Sequence, residues 1–203
     1  MRKTIVTGLI LTCLLGTLLA CIVERQRIVT LEGQPLSLVG PEIKVGQKAP
    51  DFTLVAPARL VEDLVPVTEE VTLSQSRGRV RFLNVVPSLD TPVCDLQTQR
   101  FEIEASKYPE VTVYTISMDL PFAQSRYCGQ HDITNLQTLS DYRDGSFGTA
   151  YGVLLKELNL LSRAIFIIDR DDTVRYVEYV SEISLPPNFD RAIAALQEVA
   201  AGS

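Results

Sequence analysis

The chain has 203 residues, of which 46% are hydrophobic and 22% charged, and its formal net charge is -6. This size and composition are typical of one globular domain with a sizeable core. The acidic balance argues against a general nucleic-acid-binding protein, because neutralising phosphates requires clustered Lys and Arg. We therefore expect small molecules or proteins as partners, and no nucleic acid.

The N-terminal segment, residues 1–23, differs from the rest of the chain. After a basic start, residues 4–23 carry no charge, and such a stretch in a helix spans roughly 30 Å, the thickness of a bilayer's hydrocarbon core. The motif LLAC, which ends at Cys21, resembles a bacterial lipobox, in which the cysteine is lipidated. We predict either a lipid anchor at Cys21 or a transmembrane helix. Both predictions export the domain of residues 24–203 and tie it to the membrane on its periplasmic or cell-surface side.

The hydrophobic pattern of the exported part predicts an α/β domain. In chain order we predict a β-hairpin at 27–39, a strand at 52–55, an irregular surface loop at 57–70, buried strands at 80–86 and 111–117 with a helix at 91–107 between them, a helix at 121–129, a β-hairpin at 164–180 and a closing helix at 188–200. Strand, helix, strand, helix, antiparallel hairpin and helix is the order of a thioredoxin-like mixed sheet flanked by helices. The N-terminal β-hairpin is an addition to that plan.

Two cysteines remain outside the N-terminal segment, Cys94 and Cys128. They can form a single intramolecular pair, and in an exported protein the simplest interpretation is a structural disulfide. The residues around each cysteine favour a different interpretation.

Cys94 lies in the first turn of its predicted helix. In the sequence DTPVC, Thr91 suits the N-cap and Pro92 the first helical position, so Cys94 is the third residue. The unpaired N–H groups and the dipole of the helix start stabilise an anion, here a thiolate. We expect the Thr91 hydroxyl to donate to an incoming oxygen and Pro87 to shield the sulfur from water. The alternative is an inert buried thiol at a good helix start.

Cys128 lies in a contrasting place, at the end of a helix that begins at Pro121 and stops before Gly129. The partial negative charge of a helix C-terminus disfavours a thiolate. We therefore expect Cys94 to react first, and Cys128 to remain a thiol until Cys94 has become a sulfenic acid.

A cation should complete the site, and the candidates are Arg126 and Arg163. We favour Arg163, which precedes the apolar strand AIFIID, because an arginine entering a buried strand is costly unless it is paired with an anion. The lone histidine, His131, is interpreted as a surface residue. No cluster of Cys and His has zinc-like spacing, so we expect no metal and no cofactor.

The motifs PSLDTPVC, SMDLPFAQSRYCG and SRAIFIID together resemble the thiol peroxidase branch of the peroxiredoxins, of the atypical two-cysteine type. The resemblance spans about residues 29–196 and includes the 34-residue spacing between the cysteines at 94 and 128. It implies that Cys94 is the peroxidatic cysteine and Cys128 the resolving one, joined in a redox disulfide during turnover. It also implies that Thr91 and Arg163 activate the thiolate and polarise the peroxide bond, with Pro87 as the shield.

The same resemblance implies a peroxidase that needs no metal, haem or flavin. Its substrates are hydrogen peroxide and organic hydroperoxides, its reductant is a thioredoxin-like dithiol, and it forms a homodimer. Because the two cysteines belong to the ends of different helices, we expect them to lie beyond disulfide distance when reduced. Disulfide formation then requires local unfolding of one or both helix ends.

The N-terminal anchor and the long stretch 57–70 depart from the family pattern. An exported enzyme cannot use cytoplasmic thioredoxin, so we expect either a membrane-linked or extracytoplasmic dithiol as reductant or a slow turnover. One alternative function is an anchored thiol-disulfide oxidoreductase, although Gln97 stands where a C-x-x-C motif would place its second cysteine. A second is a non-catalytic exported domain with a permanent disulfide.

Overall fold

The computed structural model describes residues 23–57, 59–61 and 65–202. The predicted anchor with Cys21 lies outside these residues. No helix within the described part of the chain is long and apolar enough to cross a membrane.

The described residues form strands and α-helices, which alternate along the chain between residues 81 and 150. The strands are β1 (Glu24–Leu31), β2 (Gln34–Val39), β3 (Thr53–Val55), β4 (Arg59–Val61), β5 (Val65–Val67), β6 (Glu70–Thr72), β7 (Arg81–Val85), β8 (Thr112–Ser117), β9 (Gln137–Ser140), β10 (Leu154–Leu155), β11 (Leu160–Leu161), β12 (Ala164–Ile168) and β13 (Val174–Tyr179). The α-helices are α1 (Pro92–Ala105), α2 (Pro121–Gln130), α3 (Ser146–Ala150) and α4 (Phe189–Gly202). A short 3-10 helix spans Leu73–Ser76.

The central sheet is mixed, with strand order β13-β12-β7-β8-β9-β3-β6. Strands β7, β8 and β9 are parallel, and β12 runs antiparallel to β7 and to β13. All five residues of β7 and all five of β12 are buried, as expected of strands covered on both faces. The predicted thioredoxin-like mixed sheet is therefore confirmed.

Alternate residues of the central strands pack into two cores, one on each face of the sheet. Phe82 and Ile165 share one core with Leu196 of α4. Leu83 and Phe166 share the other core, which contains Phe52, Phe147 and Tyr151. The long helices α1 and α4 therefore cover one face, and the turn-rich part of the chain covers the other.

The N-terminal β-hairpin is confirmed and is longer than predicted. Strands β1 and β2 pair antiparallel, and the turn lies at Glu32 and Gly33, which both have positive φ. The hairpin belongs to a second sheet of order β1-β2-β10-β11. Beyond the pairing with β2, Thr30 forms an isolated bridge with Glu182, so the tip of the hairpin contacts the loop after β13.

The stretch 57–70 differs from its prediction. Instead of an irregular loop, it contains the antiparallel pair β4 and β5. The prediction failed because Pro66 suggested a break, whereas a two-stranded ribbon consists of edge strands, which tolerate proline.

Candidate active site

Cys94 occupies the first turn of α1. Thr91 precedes the helix with an extended backbone (φ -107°, ψ 144°), and proline stands at the start of the helix. Proline suits this place because the first helical N–H has no partner within the helix. Cys94 is 0% exposed, so the positive end of the helix dipole acts on a sulfur that is shielded from bulk water.

The turn before α1 is fixed by hydrogen bonds. The Thr91 hydroxyl is on an exposed residue and donates to the Ser88 carbonyl oxygen at 3.0 Å, and it does not cap the helix. The Asp119 carboxylate accepts from the Ser88 hydroxyl and from the Leu89 N–H, both at 2.7 Å. Pro87 is buried in the same turn. The structure thus places Thr91 and Pro87 on the segment that leads into Cys94, while the Thr91 hydroxyl bonds to this turn.

The Arg163 guanidinium is the cation that the structure brings to Cys94. Its Nη2 donates to Cys94 Sγ at 3.4 Å, and the residue is 2% exposed. The Ile183 carbonyl oxygen accepts from Nε at 3.1 Å and from Nη2 at 3.0 Å. Nη1 donates to the side-chain oxygen of Gln97. These contacts use the planar, forked geometry of arginine to fix one orientation of the group.

Arg163 is buried without a carboxylate partner in the described part of the chain. Its hydrogen-bond acceptors are a backbone carbonyl oxygen, an amide oxygen and the Cys94 sulfur. A buried charge is costly without a counter-charge. Of the three acceptors, only the sulfur can carry a full negative charge. The geometry therefore favours a thiolate at Cys94.

A chain of buried amide and hydroxyl groups supports Arg163, and the sequence analysis did not find it. Gln97 donates through Nε2 to the Asn84 side-chain oxygen, and Asn84 Nδ2 donates to Thr115 Oγ1 at 3.0 Å. All three residues are 0% exposed. One signal was available, because an asparagine inside the apolar run RFLNVV needs a buried hydrogen-bond partner.

Cys128 lies in the last turn of α2, which extends through Gly129 to Gln130 rather than stopping before Gly129 as predicted. Its sulfur shares a 3.3 Å hydrogen bond with Thr138 Oγ1. Burial raises the pKa of the Cys128 thiol, the Thr138 hydrogen bond lowers it, and the charge of Glu102 raises it. The neutral form is thus favoured, as predicted, but burial rather than the helix end is the main cause.

The two cysteines are free thiols that belong to one apolar environment. Cys94 is part of a buried cluster with Val86, Leu89 and Tyr127, and Cys128 packs against that cluster. Tyr127 and the two cysteines therefore occupy the contact region between α1 and α2.

The other residues considered in the sequence lie on the surface. Arg126 is 3.6 Å from Asp90 in an exposed ion pair and is not among the polar partners of Cys94. His131 is exposed and stacks on Tyr127 with ring centroids 4.4 Å apart. Across the described ranges, no group of three or more His, Cys, Asp or Glu side chains could hold a metal ion.

The chain is similar to known proteins over most of its length. A family model described as Redoxin matches residues 44–193. A thiol peroxidase of Bacillus subtilis (strain 168) is 50% identical over 167 residues, which cover 82% of this chain and 95% of that protein. A thiol peroxidase of Halalkalibacterium halodurans is 51% identical, with the same two coverages of 82% and 95%. The crystal structure of a peroxiredoxin-like protein from Aquifex aeolicus is similar with a TM-score of 0.72 and 38% identity, covering 86% of this chain and 99% of that chain.

Proposed function

Because this chain belongs to the Redoxin family, and within it to the thiol peroxidases, we propose that it reduces hydrogen peroxide and organic hydroperoxides with electrons from thiols. The observation that carries the proposal is the 3.4 Å contact between Arg163 Nη2 and the buried sulfur of Cys94 at the start of α1. This contact places positive charge beside the nucleophile.

In the first step the Cys94 thiolate attacks the terminal oxygen of the peroxide. The oxygen–oxygen bond breaks, the terminal OH becomes bonded to sulfur, and the leaving alkoxide or hydroxide takes up a proton to give alcohol or water. Sulfur is oxidised by two electrons to a sulfenic acid, and the peroxide is reduced by the same two. Arg163 stabilises the negative charge that moves from sulfur to the leaving oxygen. Thr91, whose hydroxyl proton is donated to the Ser88 carbonyl oxygen, orients the peroxide by accepting a hydrogen bond from it, and Pro87 limits the access of water.

In the second step the Cys128 sulfur attacks the sulfenic sulfur of Cys94. A disulfide forms and water leaves, carrying the sulfenic oxygen and the proton of the Cys128 thiol. Since Cys94 is in the first turn of α1 and Cys128 in the last turn of α2, the end of α2 unwinds to bring the sulfurs together. A thioredoxin-like dithiol then restores both thiols by disulfide exchange.

Two anchors define the part of α2 that moves. Before Cys128, the buried Gln124 side chain donates to Ser117 Oγ at 3.0 Å and to the Leu139 carbonyl oxygen at 2.9 Å. After Cys128, the Glu102 carboxylate accepts from the backbone N–H groups of residues 134, 135 and 136 at 2.8 to 3.0 Å. The segment 125–133 lies between these anchors. It is therefore the segment that rearranges during resolution.

Further parts of the proposal concern assembly and location. We take the active form to be a homodimer, with residues 24–203 as the exported peroxidase domain. The N-terminal segment holds it at the membrane through a lipid on Cys21 or as a transmembrane helix, and an extracytoplasmic dithiol reduces it. Mass analysis of protein extracted from membranes distinguishes an acylated Cys21 from an uncleaved segment.

Peroxide consumption by the full chain in detergent, reduced with dithiothreitol, tests the proposal. We expect the activity to be lost in Cys94→Ser. In Cys128→Ser, one equivalent of peroxide should still be consumed and a sulfenic acid should be trapped at Cys94 by a dimedone reagent. A thiol-disulfide oxidoreductase or a domain with a permanent disulfide consumes no stoichiometric peroxide, so an inactive reduced protein would contradict the proposal.

A further inference from the structure

The loop after β13 provides the carbonyl group that orients the active-site arginine. The Ile183 carbonyl oxygen accepts two of the four hydrogen bonds that Arg163 donates. Ile183 is 3% exposed, so this interaction is shielded from water. The position of the guanidinium relative to Cys94 therefore depends on the position of this one carbonyl group.

The backbone of this loop is held by the N-terminal hairpin. The Thr30 N–H donates to the Ser181 carbonyl oxygen at 2.7 Å, and the Ile183 N–H donates to the Thr30 carbonyl oxygen at 2.9 Å. Ile183, whose carbonyl group orients Arg163, is thus attached to β1 through Thr30. The hairpin is absent from the predicted thioredoxin-like plan, yet it reaches the active site by this route.

The Glu182 side chain fastens the same contact. Its carboxylate accepts from Thr30 Oγ1 at 2.8 Å, from the Glu32 N–H at 3.0 Å and from the Gly33 N–H at 3.1 Å. It also accepts from the N–H and the hydroxyl of Ser184. The Glu182 carboxylate therefore links both residues of the hairpin turn to Ser184. Because Glu182 and Ser184 flank Ile183, the hairpin tip is held to both neighbours of Ile183.

We infer that Glu182 is a positioning residue for the peroxidase reaction: it ties the tip of the N-terminal hairpin to the Ile183 peptide, and so fixes Arg163 against the Cys94 sulfur. This inference rests on the proposed function for its consequence in catalysis. Its consequence for the chemical reactivity of Cys94 holds for any electrophile.

A carboxylate is the side chain that this place requires. Glu32 and Gly33 have φ values of 50° and 76°, and their two N–H groups both donate to the carboxylate of Glu182. Every partner of this carboxylate is a donor, and an ionised carboxylate only accepts. These hydrogen bonds lower the pKa of Glu182 to about 2. Among the described residues Glu182 forms no ion pair, so it acts through hydrogen bonds.

Reactivity of Cys94 in Glu182→Ala tests the inference. Two second-order rate constants are measured on the full chain in a Cys128→Ser background: oxidation of Cys94 by hydrogen peroxide, and its alkylation by iodoacetamide, followed at the Cys94 peptide by mass spectrometry. Losing the five hydrogen bonds leaves only the backbone bonds to Thr30 to hold the loop and so loosens the Ile183 carbonyl group; we therefore expect both rate constants to fall about tenfold. In Glu182→Gln both rate constants should fall by less, because the glutamine amide keeps one acceptor oxygen.

Two matched controls separate this effect from a loss of charge or of hairpin stability. Glu178, on β13, accepts from the Asn188 N–H and the Tyr176 hydroxyl and, within the described residues, makes no hydrogen bond to the hairpin tip. Glu157 accepts from the Ser37 N–H and anchors the hairpin through β2. Glu178→Ala and Glu157→Ala should leave both rate constants within about twofold. Equal losses in Glu182→Ala and in a control would overturn the inference.

A double-mutant cycle gives a readout that a general structural role would not move. If Glu182 acts through Arg163, then Glu182→Ala should add less than about twofold to the loss already caused by Arg163→Ala. If the loss in the double variant instead equals the product of the two single losses, the inference is overturned. If Glu182→Ala does not fold, Thr30→Val replaces it, because this substitution removes only one of the five hydrogen bonds of Glu182. A fall of about two- to fourfold in both rate constants, with an unchanged melting temperature, supports the inference. Unchanged rate constants contradict it.

Failure of this inference and failure of the proposed function give different results. A wild-type chain that consumes no peroxide contradicts the peroxidase activity, while alkylation of Cys94 still reports on Glu182. If the wild type and Glu182→Ala consume peroxide equally fast, only the role of Glu182 is contradicted.

Discussion

The Tyr127 hydroxyl donates a 2.7 Å hydrogen bond to the Asp95 carboxylate, and each of these two residues adjoins one of the two cysteines. The same carboxylate oxygen accepts from Gln99 Nε2 at 2.7 Å, and His131 stacks on the Tyr127 ring. Helix α2 is thus fastened to α1 beside both thiols. Because α2 must unwind at its end before the disulfide forms, this fastening opposes the resolving step.

Tyr127→Phe should accelerate disulfide formation. The substitution keeps the buried ring and removes the hydroxyl, so unwinding no longer breaks a hydrogen bond to a carboxylate, an interaction of about 1.5 to 3 kcal/mol. We expect the sulfenic acid to be resolved about tenfold faster or more, with a small fall in melting temperature. Rapid quenching with an alkylating reagent after one equivalent of peroxide measures the rate.

A matched control is Tyr108→Phe, which removes a hydroxyl that, among the residues the structure describes, accepts from the exposed Gln197 side chain alone. It should leave the resolving rate unchanged. An unchanged rate in Tyr127→Phe would show that the segment 125–133 opens without breaking the bond to Asp95.

Gln97→Met should destabilise the fold. Methionine has a similar shape but offers Arg163 no acceptor and Asn84 no donor, so two polar groups in a fully buried region lose their partner. Each group left unsatisfied costs about 1 to 3 kcal/mol. We expect the free energy of unfolding to fall by roughly 2 to 6 kcal/mol, as measured by urea denaturation.

The companion substitution is Gln197→Met on the exposed side of α4, which removes one surface contact to Tyr108. It should change the unfolding free energy by less than about 0.5 kcal/mol. A loss at position 97 no larger than that at 197 would mean that water or a shifted side chain satisfies Arg163 and Asn84.

Local signals were sufficient to predict the start of α1 and the approach of Arg163 to Cys94. Thr-Pro before a helix specifies its first turn by backbone chemistry alone. A charged residue next to a buried apolar strand must find a partner, and Arg163 finds Cys94. Both inferences depend on what one residue type requires, so a single sequence contains enough information.

The polar chain behind Arg163 depends on sheet register, which the sequence does not specify locally. Asn84 and Thr115 meet because β7 and β8 pair in parallel with these residues opposite each other. A shift of one residue would turn one of them to the other face of the sheet. The bond between Tyr127 and Asp95 likewise depends on how two helices pack, so neither contact could be derived from spacing along the chain.

Thr138→Val should shift the pH range in which the disulfide between Cys94 and Cys128 forms to higher values. The hydrogen bond from Thr138 lowers the pKa of Cys128, against the larger effect of burial, which raises it. Without the hydroxyl, the pKa of Cys128 rises further and less thiolate is present at a given pH. The rate of disulfide formation should therefore rise with pH over a higher range than in the wild type.

The pH dependence of that rate, measured with sulfenic acid preformed at Cys94, checks this shift. Thr134→Val is the matched control, because the hydroxyl of this exposed residue contacts Glu102 and Asn135, both at 3.4 Å, and not Cys128. If the Thr138 variant follows the wild-type pH curve, Cys128 leaves its hydrogen bond before it ionises.

Asp141 should make the fold less stable as pH rises. Burial raises the pKa of this carboxyl to about 6 from 3.8, although the N–H groups of Phe147 and Gly148 donate to it. The folded state therefore binds the proton more tightly than the unfolded state. The resulting stabilisation is complete below pH 3.8 and is lost as pH rises through about 6. This difference between the folded and unfolded pKa of Asp141 corresponds to roughly 3 kcal/mol of free energy of unfolding.

Asp141→Asn removes this titration and isolates the effect. The unfolding free energy of the wild type minus that of the variant should decrease between about pH 4 and pH 7, as measured by urea denaturation at each pH. Asp190→Asn, at an exposed position in the first turn of α4, provides the control and should show no comparable decrease. A difference that is constant or grows with pH would mean that the two backbone hydrogen bonds outweigh burial and keep Asp141 ionised at low cost.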